Sequence, residues 1–256
     1  MNCARRLGLC LAIATSVGLA ACGGGGSSGS SASGQSAEGV YGGTLSGSAS
    51  SAFQLLILEN GEFWSMYGTQ TSTMFGVAGF IQGSGTSSNG SFTSSNTKDF
   101  GFAPAVAAST NATYNATAKT IAGTLTSTAG AVAFNGGPIA GSLYDYNAAA
   151  SLSTISGAWA VTSLAGESVT LNIQPAGSFT AASSLGCNFS GTVVPRASGK
   201  NVFNVSLTFG AAPCALAGQS ATGIAVAYPL TSGRTQLLVS VVESMRSYGT
   251  AVFGSR

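Results

Sequence analysis

The chain has 256 residues, of which 45% are hydrophobic and only 6% are charged, and its formal net charge is +2. It contains no histidine, which excludes Ser-His-Asp and Cys-His catalytic arrangements and removes the commonest metal ligand. So few charges leave no basic face of the kind that binds nucleic acid.

The first 21 residues have the pattern of an export signal. Arg5 and Arg6 precede a short apolar run over 7–19, as in the charged and apolar regions of secretory signals. The run is too short to cross a bilayer, because a spanning helix needs about 20 apolar residues. Residues 19–22 then read Leu-Ala-Ala-Cys. The segment predicts a signal peptide over 1–21.

This ending resembles the lipobox of bacterial lipoproteins, in which a large apolar residue and two small ones precede a cysteine. In that family the thiol takes a diacylglyceryl group, the signal is cleaved, and the freed amine is acylated. The resemblance implies that Cys22 becomes the lipidated first residue and that membrane lipid is its partner. Residue 23 is Gly and not Asp, which in the family's sorting rule implies the outer membrane. An ordinary signal peptide followed by a chance cysteine is the alternative.

Cleavage changes the charge and exposes a linker. Without Arg5 and Arg6 the mature chain has seven basic and seven acidic residues, a net charge of zero, so no nucleic-acid partner is expected. Residues 23–37 read GGGGSSGSSASGQSA, a flexible composition that reaches typically about 20 Å. We therefore predict a tether over 22–37 that begins at the lipidated Cys22.

Cys187 and Cys214 are the two cysteines that remain, because two of the five lie in the predicted signal peptide and Cys22 is expected to carry the lipid. In an oxidising compartment such a pair most simply forms a disulfide. A metal pair or a reactive thiol would need neighbours that the sequence lacks, since there is no histidine and no carboxylate between the two cysteines. We predict a structural disulfide and expect no metal and no cofactor.

The remaining residues have the apolar spacing of strands. Residues 202–209 and 167–173 alternate apolar and polar side chains, which is the pattern of a half-buried strand. Turn sequences rich in Gly, Asn and Pro separate these segments from others of the same kind. Further strand candidates are 53–58, 62–67, 74–82, 120–127, 224–228, 236–242 and 250–253. A single helical turn over 103–109 is the one helical candidate.

The chain also repeats itself with a period of about 100 residues. Gly39-Val40-Tyr41 and Gly157-Ala158-Trp159 each lead to an apolar strand, a glycine turn and a second aromatic strand, and 79–83 corresponds loosely to 187–191. The unit has the size of a domain. We predict an all-β fold of two small antiparallel β-barrel-like domains in tandem, over 38–147 and 157–256 with a linker at 148–156. A single β-sandwich is the alternative.

Gly157-Ala158-Trp159 resembles the G-x-W motif that opens the first strand of lipocalins and other calycin barrels. The resemblance implies that the Trp159 indole closes one end of a barrel; plain core packing is the alternative account. The plan of lipidated cysteine, tether and β-rich halves is similar to that of Gram-negative surface lipoproteins such as the transferrin-binding lipoproteins. The likeness is one of plan, so their partner-binding residues are not carried over.

Two patterns could suggest an enzyme, and neither is convincing. Glu59 and Glu62 are the only close carboxylate pair, but they flank a turn, whereas glycoside chemistry needs carboxylates across a cleft. Ser95-Asn96-Thr97-Lys98 matches S-x-x-K, but it falls in a predicted loop and its companion motifs are missing. We expect no catalytic residues.

Two classes of function follow. The first is a non-catalytic binding or interaction module at the cell envelope, whose partner is a host or envelope protein or a small apolar ligand held in a calycin-like barrel. The second is a structural or accessory lipoprotein without a ligand. An apolar interior of several hundred cubic ångströms would favour the small ligand, and a filled interior would favour contact through loops or a structural role.

Overall fold

A computed structural model describes residues 35–71 and 75–256, and this part of the chain is all-β. Its strands form two closed eight-stranded antiparallel barrels in tandem. This confirms the prediction of two β-barrel domains over the alternative of a single β-sandwich. The signal peptide, Cys22, most of the tether and Met74 lie outside the described residues. Both barrels belong to one compact unit.

The first barrel has the sheet order β4-β3-β2-β1-β9-β8-β7-β6 and closes through pairing between β4 and β6, while β5 pairs with β6. Its strands are β1 (Gly39–Ser46), β2 (Ala52–Ile57), β3 (Glu62–Gln70), β4 (Phe75–Ser84), β5 (Thr86–Ser88), β6 (Ser91–Asp99), β7 (Val106–Asn115), β8 (Thr120–Ser127) and β9 (Gly130–Gly137).

The connection between the barrels contains one short helix, α1 (Leu152–Ile155). The second barrel follows in simple up-and-down order from β10 to β17. Its strands are β10 (Gly157–Ser163), β11 (Ser168–Ile173), β12 (Ser178–Ser183), β13 (Asn188–Pro195), β14 (Phe203–Phe209), β15 (Ser220–Pro229), β16 (Thr235–Glu243) and β17 (Gly249–Ser255).

Alternating side chains fill the interiors of both barrels. In β14, Phe203, Val205 and Leu207 are buried in the core of the second barrel, and the polar residues between them point outward, as the period of two requires. Val169 and Leu171 of β11 do the same. The strands predicted from this alternation are confirmed.

The two halves pair their strands in the same register. Tyr41 lies opposite Leu55 in the first barrel, and Trp159 lies opposite Leu171 in the second. One strand further along, Phe63 lies opposite Gly83 and Phe179 opposite Gly191. The segments 79–83 and 187–191 therefore occupy corresponding positions, as the sequence repeat predicted.

A third apolar core lies between the barrels. Outward-facing residues of β2, β3 and β4 meet outward-facing residues of β15, β16 and β17. Every residue of β16 after Thr235 is buried, because one face of this strand lines the second barrel and the other face packs on the first. The core includes Leu56, Trp64, Phe80, Ile224, Val226, Leu238 and Phe253.

Two local expectations were wrong. Most of the predicted helical turn at 103–109 belongs instead to strand β7 (Val106–Asn115). Its buried Ala108 and Thr110 alternate with exposed or half-buried neighbours, and both residues pair with β6 and β8. Ser95 and Lys98, which were placed in a loop, lie in strand β6 (Ser91–Asp99) next to a register shift after Ser94.

Candidate ligand-binding site

The first barrel contains a cavity of about 300 Å³. It reaches the end of the barrel formed by the β1–β2 loop, the β6–β7 loop and the β8–β9 turn, which we call the open end. Most of its wall is apolar and aromatic, and the half-exposed Phe102 lies at its mouth. Lining residues used below are Phe53, Phe63, Ser65, Tyr67, Phe92, Asp99, Thr110 and Phe134.

The cavity exists because several inward positions of this barrel carry small side chains. Ser65 of β3 stands between Leu55 and Ile81 on the neighbouring strands. Ser94 and Thr97 of β6 and Thr110 of β7 are buried at positions where the alternation points inward. Side chains of this size cannot reach the barrel axis, so space remains between them.

The interior of the second barrel is filled by apolar side chains. Its interior cavity measures about 30 Å³, since Val205, Leu207 and Phe209 of β14 all point inward. Cys187 and Cys214 form the predicted disulfide, joining the β12–β13 turn to the β14–β15 loop. These two loops occupy the end that corresponds to the open end of the first barrel.

A tyrosine–carboxylate pair provides the polar part of the cavity wall. The Tyr67 hydroxyl donates to Oδ1 of Asp99 over 2.7 Å, and the Gly101 amide donates to the same oxygen over 2.8 Å. Burial raises the pKa of Tyr67, and the neighbouring Asp99 raises it further. Tyr67 therefore stays protonated and keeps donating to the carboxylate.

Two glycines make room for this pair. A β-carbon at Gly79 or at Gly101 would overlap the Tyr67 hydroxyl, so a side chain at either position would displace the ring. Strand β4 supplies Gly79 opposite Tyr67, and the chain just after β6 supplies Gly101. The position of the tyrosine hydroxyl is thus fixed by backbone on both sides.

The buried hydroxyls of Ser94 and Thr97 in β6 and of Thr110 in β7 form hydrogen bonds with one another. The Thr97 hydroxyl donates to Ser94 over 3.1 Å, a further hydrogen bond of 3.1 Å joins Thr97 and Thr110, and Ser94 donates to the Ser84 carbonyl over 2.7 Å. The Tyr67–Asp99 pair also has hydrogen bonds within the protein, but it differs from these hydroxyls because it includes Asp99, the one charged side chain among the described residues that line the cavity.

The opposite end of the first barrel is occupied by tyrosines. The fully buried Tyr41 donates to the Ala37 carbonyl over 2.7 Å, and Tyr114 donates to the Gln35 carbonyl over 2.8 Å. Burial, together with Tyr114 and Glu38, raises the pKa of Tyr41 to about 12. The last residues of the predicted tether, Gln35 and Ala37, are therefore already held by the barrel.

A groove between the barrels is larger, about 510 Å³, but its charged groups are used within the protein. Glu243 accepts backbone hydrogen bonds from Met245, Ser247 and Tyr248. Arg246 donates to the carbonyls of Gln82 and Asn96. The Glu243 contacts hold the β16–β17 loop of the second barrel, and the Arg246 contacts join that loop to the first barrel, so we assign the groove a structural role.

The other residues considered from the sequence lie apart from the cavity. Glu59 forms a 2.8 Å ion pair with Arg196 of the second barrel, and Glu62 accepts a hydrogen bond from the indole of Trp64. Over 35–71 and 75–256 no three His, Cys, Asp or Glu side chains are grouped so that they could hold a metal ion. None of the helices in that part is long and apolar enough to span a membrane.

Comparison of the chain with protein-family models, with curated proteins and with solved structures gave no match.

Sequence reasoning did not identify Ser65, Tyr67 or Asp99. The available signal was in the predicted strand 62–67, where Ser65 takes an inward position between the aromatic Phe63 and Tyr67. A small polar residue between two aromatic ones on the buried face of a strand indicates space inside a barrel. Asp99 could not be found in this way, because its strand was not predicted.

Proposed function

We propose that this protein is a lipid-anchored binding protein of the outer membrane whose first barrel holds a small, largely apolar ligand. The second barrel acts as a packed support. The observation that carries the proposal is the difference between the two interiors, about 300 Å³ against about 30 Å³. Contact with a host or envelope protein stays a prediction.

The size and the wall of the cavity support a small-molecule ligand. Ligand sites in proteins measure about 300 to 1,000 Å³ and are lined mainly by apolar and aromatic side chains with a few placed polar groups. This cavity stands at the lower end of that range. A compact ligand with a short chain or one ring system fits it better than a long fatty acid does.

The second barrel supports the first through the apolar core between them. Residues of β15 to β17 cover the outer face of β2, β3 and β4. That face belongs to the wall of the cavity-bearing barrel, so its coverage stabilises strands whose inner face borders the cavity. A hollow barrel beside a filled one is consistent with a division between binding and support.

Anchoring rests on the lipobox resemblance and is tested separately. We expect labelled palmitate to mark the wild-type protein and to leave a Cys22→Ser variant unmarked, and we expect the variant to leave the membrane fraction. Equal labelling of both would reject the anchor. Attachment through two or three acyl chains is stable, whereas a single chain gives only marginal binding.

Ligand binding is tested by filling the cavity. In the exported chain carrying Cys22→Ser, we expect octan-1-ol to bind in isothermal titration calorimetry and Ser65→Phe to abolish the heat, because the added ring occupies the cavity. The matched control is Ser91→Phe, which places the same ring on the exposed outer side of β6. Binding that survives in a folded Ser65→Phe variant would reject the proposed site.

A further inference from the structure

The charge on the cavity wall indicates what kind of ligand it takes. We infer that the ligand is an amphiphilic cation, an amine or quaternary ammonium group on a short apolar body, with its positive end at Asp99. This inference rests on the proposed function, since it needs the first-barrel cavity to be a binding site.

Asp99 carries the one formal charge among the described residues that line the cavity. The rest of the wall consists of apolar side chains, aromatic rings, hydroxyl groups and small residues. An anionic ligand would bring a second negative charge next to Asp99 in a mainly apolar cavity, where like charges repel more strongly than in bulk solvent. A cation would instead form an ion pair with the carboxylate.

The nearest basic side chains are turned away from the cavity. Lys98 precedes Asp99 on β6, so its side chain points to the other face of the strand, and its ammonium donates to the Arg246 carbonyl over 2.6 Å. Arg246 itself donates to the Gln82 and Asn96 carbonyls on the side of the second barrel. Neither group lines the cavity, and so neither takes the place of a ligand cation there.

The carboxylate is also held in one orientation. Tyr67 and Gly101 both donate to Oδ1, which leaves Oδ2 without a hydrogen-bond donor from the described part of the chain. A carboxylate fixed through one oxygen can accept a hydrogen bond from a protonated amine through the other, and it can form an ion pair with a quaternary ammonium group, which has no N–H to donate. The two glycines that position Tyr67 show that this arrangement is built by the backbone and does not depend on flexible surface side chains.

The aromatic lining favours the same ligand. The cavity wall includes the rings of Phe53, Phe63, Tyr67 and Phe134. Phe53 and Phe134 meet edge to face, with ring centroids 5.7 Å apart. Aromatic faces attract ammonium groups through their quadrupole, and more strongly where water is excluded. The combination of one carboxylate with several rings therefore selects a cation over a neutral polar group.

Three probes with the same chain and different head groups test the inference. In the exported chain carrying Cys22→Ser, we expect octylammonium to bind roughly tenfold to hundredfold more tightly than octan-1-ol, the range that a hydrogen bond between charged groups contributes. Octanoate should bind more weakly than octan-1-ol. An Asp99→Asn variant, which keeps the shape of the side chain, should weaken binding of the cation much more than binding of octan-1-ol and so remove the preference for the cation.

The controls separate this inference from the proposed function. Asp145→Asn makes the same chemical change at an exposed residue outside the cavity and should leave the preference intact. Equal or tighter binding of octanoate, or a cation preference that persists in Asp99→Asn, would overturn the inference while octan-1-ol binding still supports the site. Failure of all three probes to bind would overturn the site as well.

Discussion

The guanidinium carbon of Arg256 lies 3.9 Å from the centroid of the Trp159 indole, at the end of the second barrel opposite the disulfide. The indole N–H donates to the Ile155 carbonyl four residues earlier, over 2.7 Å. In the first barrel Tyr41 has the same role, since its hydroxyl donates to the Ala37 carbonyl, also four residues earlier. Each barrel is thus closed at one end by a buried aromatic residue bonded to the chain that enters it.

Removal of the Tyr41 hydroxyl should destabilise the protein. In Tyr41→Phe the buried Ala37 carbonyl loses its donor, which costs about 1 to 3 kcal/mol of unfolding free energy because the polar group stays buried. Urea unfolding followed by circular dichroism measures the loss. The matched control is Tyr248→Phe at a side chain that is 45% exposed, for which a change below about 0.5 kcal/mol is expected. Equal effects of the two would contradict the role of Tyr41.

The disulfide should contribute substantially to stability. Cys187 and Cys214 are 27 residues apart, and closing a loop of this length stabilises by about 3.5 kcal/mol on the chain-entropy estimate. We expect Cys187→Ala with Cys214→Ala to lower the unfolding free energy by that order. A reductant should lower the wild-type value in the same way and leave the double variant unchanged. A reductant effect that persists in the double variant would show that another bond is involved.

The fold class could be predicted because period-two alternation is a local property of the chain. Val205 and Leu207, for example, alternate with polar residues within one short strand, and the pattern alone marks the buried face. The barrel repeat was also visible, since Trp159 and Tyr41 open strands in the same register. The disulfide followed from elimination among five cysteines.

The cavity and the core between the barrels could not be predicted, because both depend on contacts between distant strands. Phe80 looks like any other core residue in the sequence, but it packs between the barrels, whereas the adjacent Ile81 lines the cavity. Asp99 reaches Tyr67 across 32 residues of chain. Strands β6 and β7 were missed because their inward residues include Ser94, Thr97 and Thr110, which do not alternate in hydrophobicity.

Glu243 should make stability depend on pH in the acidic range. Burial alone would raise the pKa of Glu243, but the backbone amides of Met245, Ser247 and Tyr248, helped by the charge of Lys98, outweigh it and lower the pKa below its ordinary value. A carboxyl group with a lowered folded-state pKa stabilises the fold fully above the unfolded-state value of about 4.3, and this contribution is lost as pH falls through the folded-state pKa.

The comparison is therefore between wild type and Glu243→Gln at a series of pH values. At pH 7 we expect the variant to be less stable by about 1 to 3 kcal/mol, since charged hydrogen bonds to backbone amides are replaced by neutral ones. The difference should shrink as pH falls below about 4.3. Urea midpoints between pH 7 and pH 2 measure it. Curves that stay parallel over this range would contradict the assignment.

The apolar core between the barrels should make them unfold together. The chain has two tryptophans, Trp64 in the core between the barrels and Trp159 inside the second barrel. A Trp159→Phe variant leaves Trp64 as the fluorescent reporter, and Trp64→Phe leaves Trp159. In each variant we expect the fluorescence transition in urea to coincide with the transition seen by circular dichroism, because strands that share a core lose it at once.

Weakening that core should separate the transitions. Phe80 is fully buried and stacks on Phe100 with ring centroids 4.7 Å apart, so Phe80→Ala should cost about 3 to 5 kcal/mol. Because this loss falls on the contact between barrels, we expect Trp64 to report an earlier midpoint than Trp159 in the corresponding single-tryptophan variants. Phe179→Ala, which removes a buried ring inside the second barrel, is the matched control and should lower the Trp159 midpoint at least as much as the Trp64 midpoint. Equal shifts of the Trp64 and Trp159 midpoints in Phe80→Ala would contradict this prediction. The barrels would then unfold as one unit even without the ring that stacks on Trp64 and Phe100.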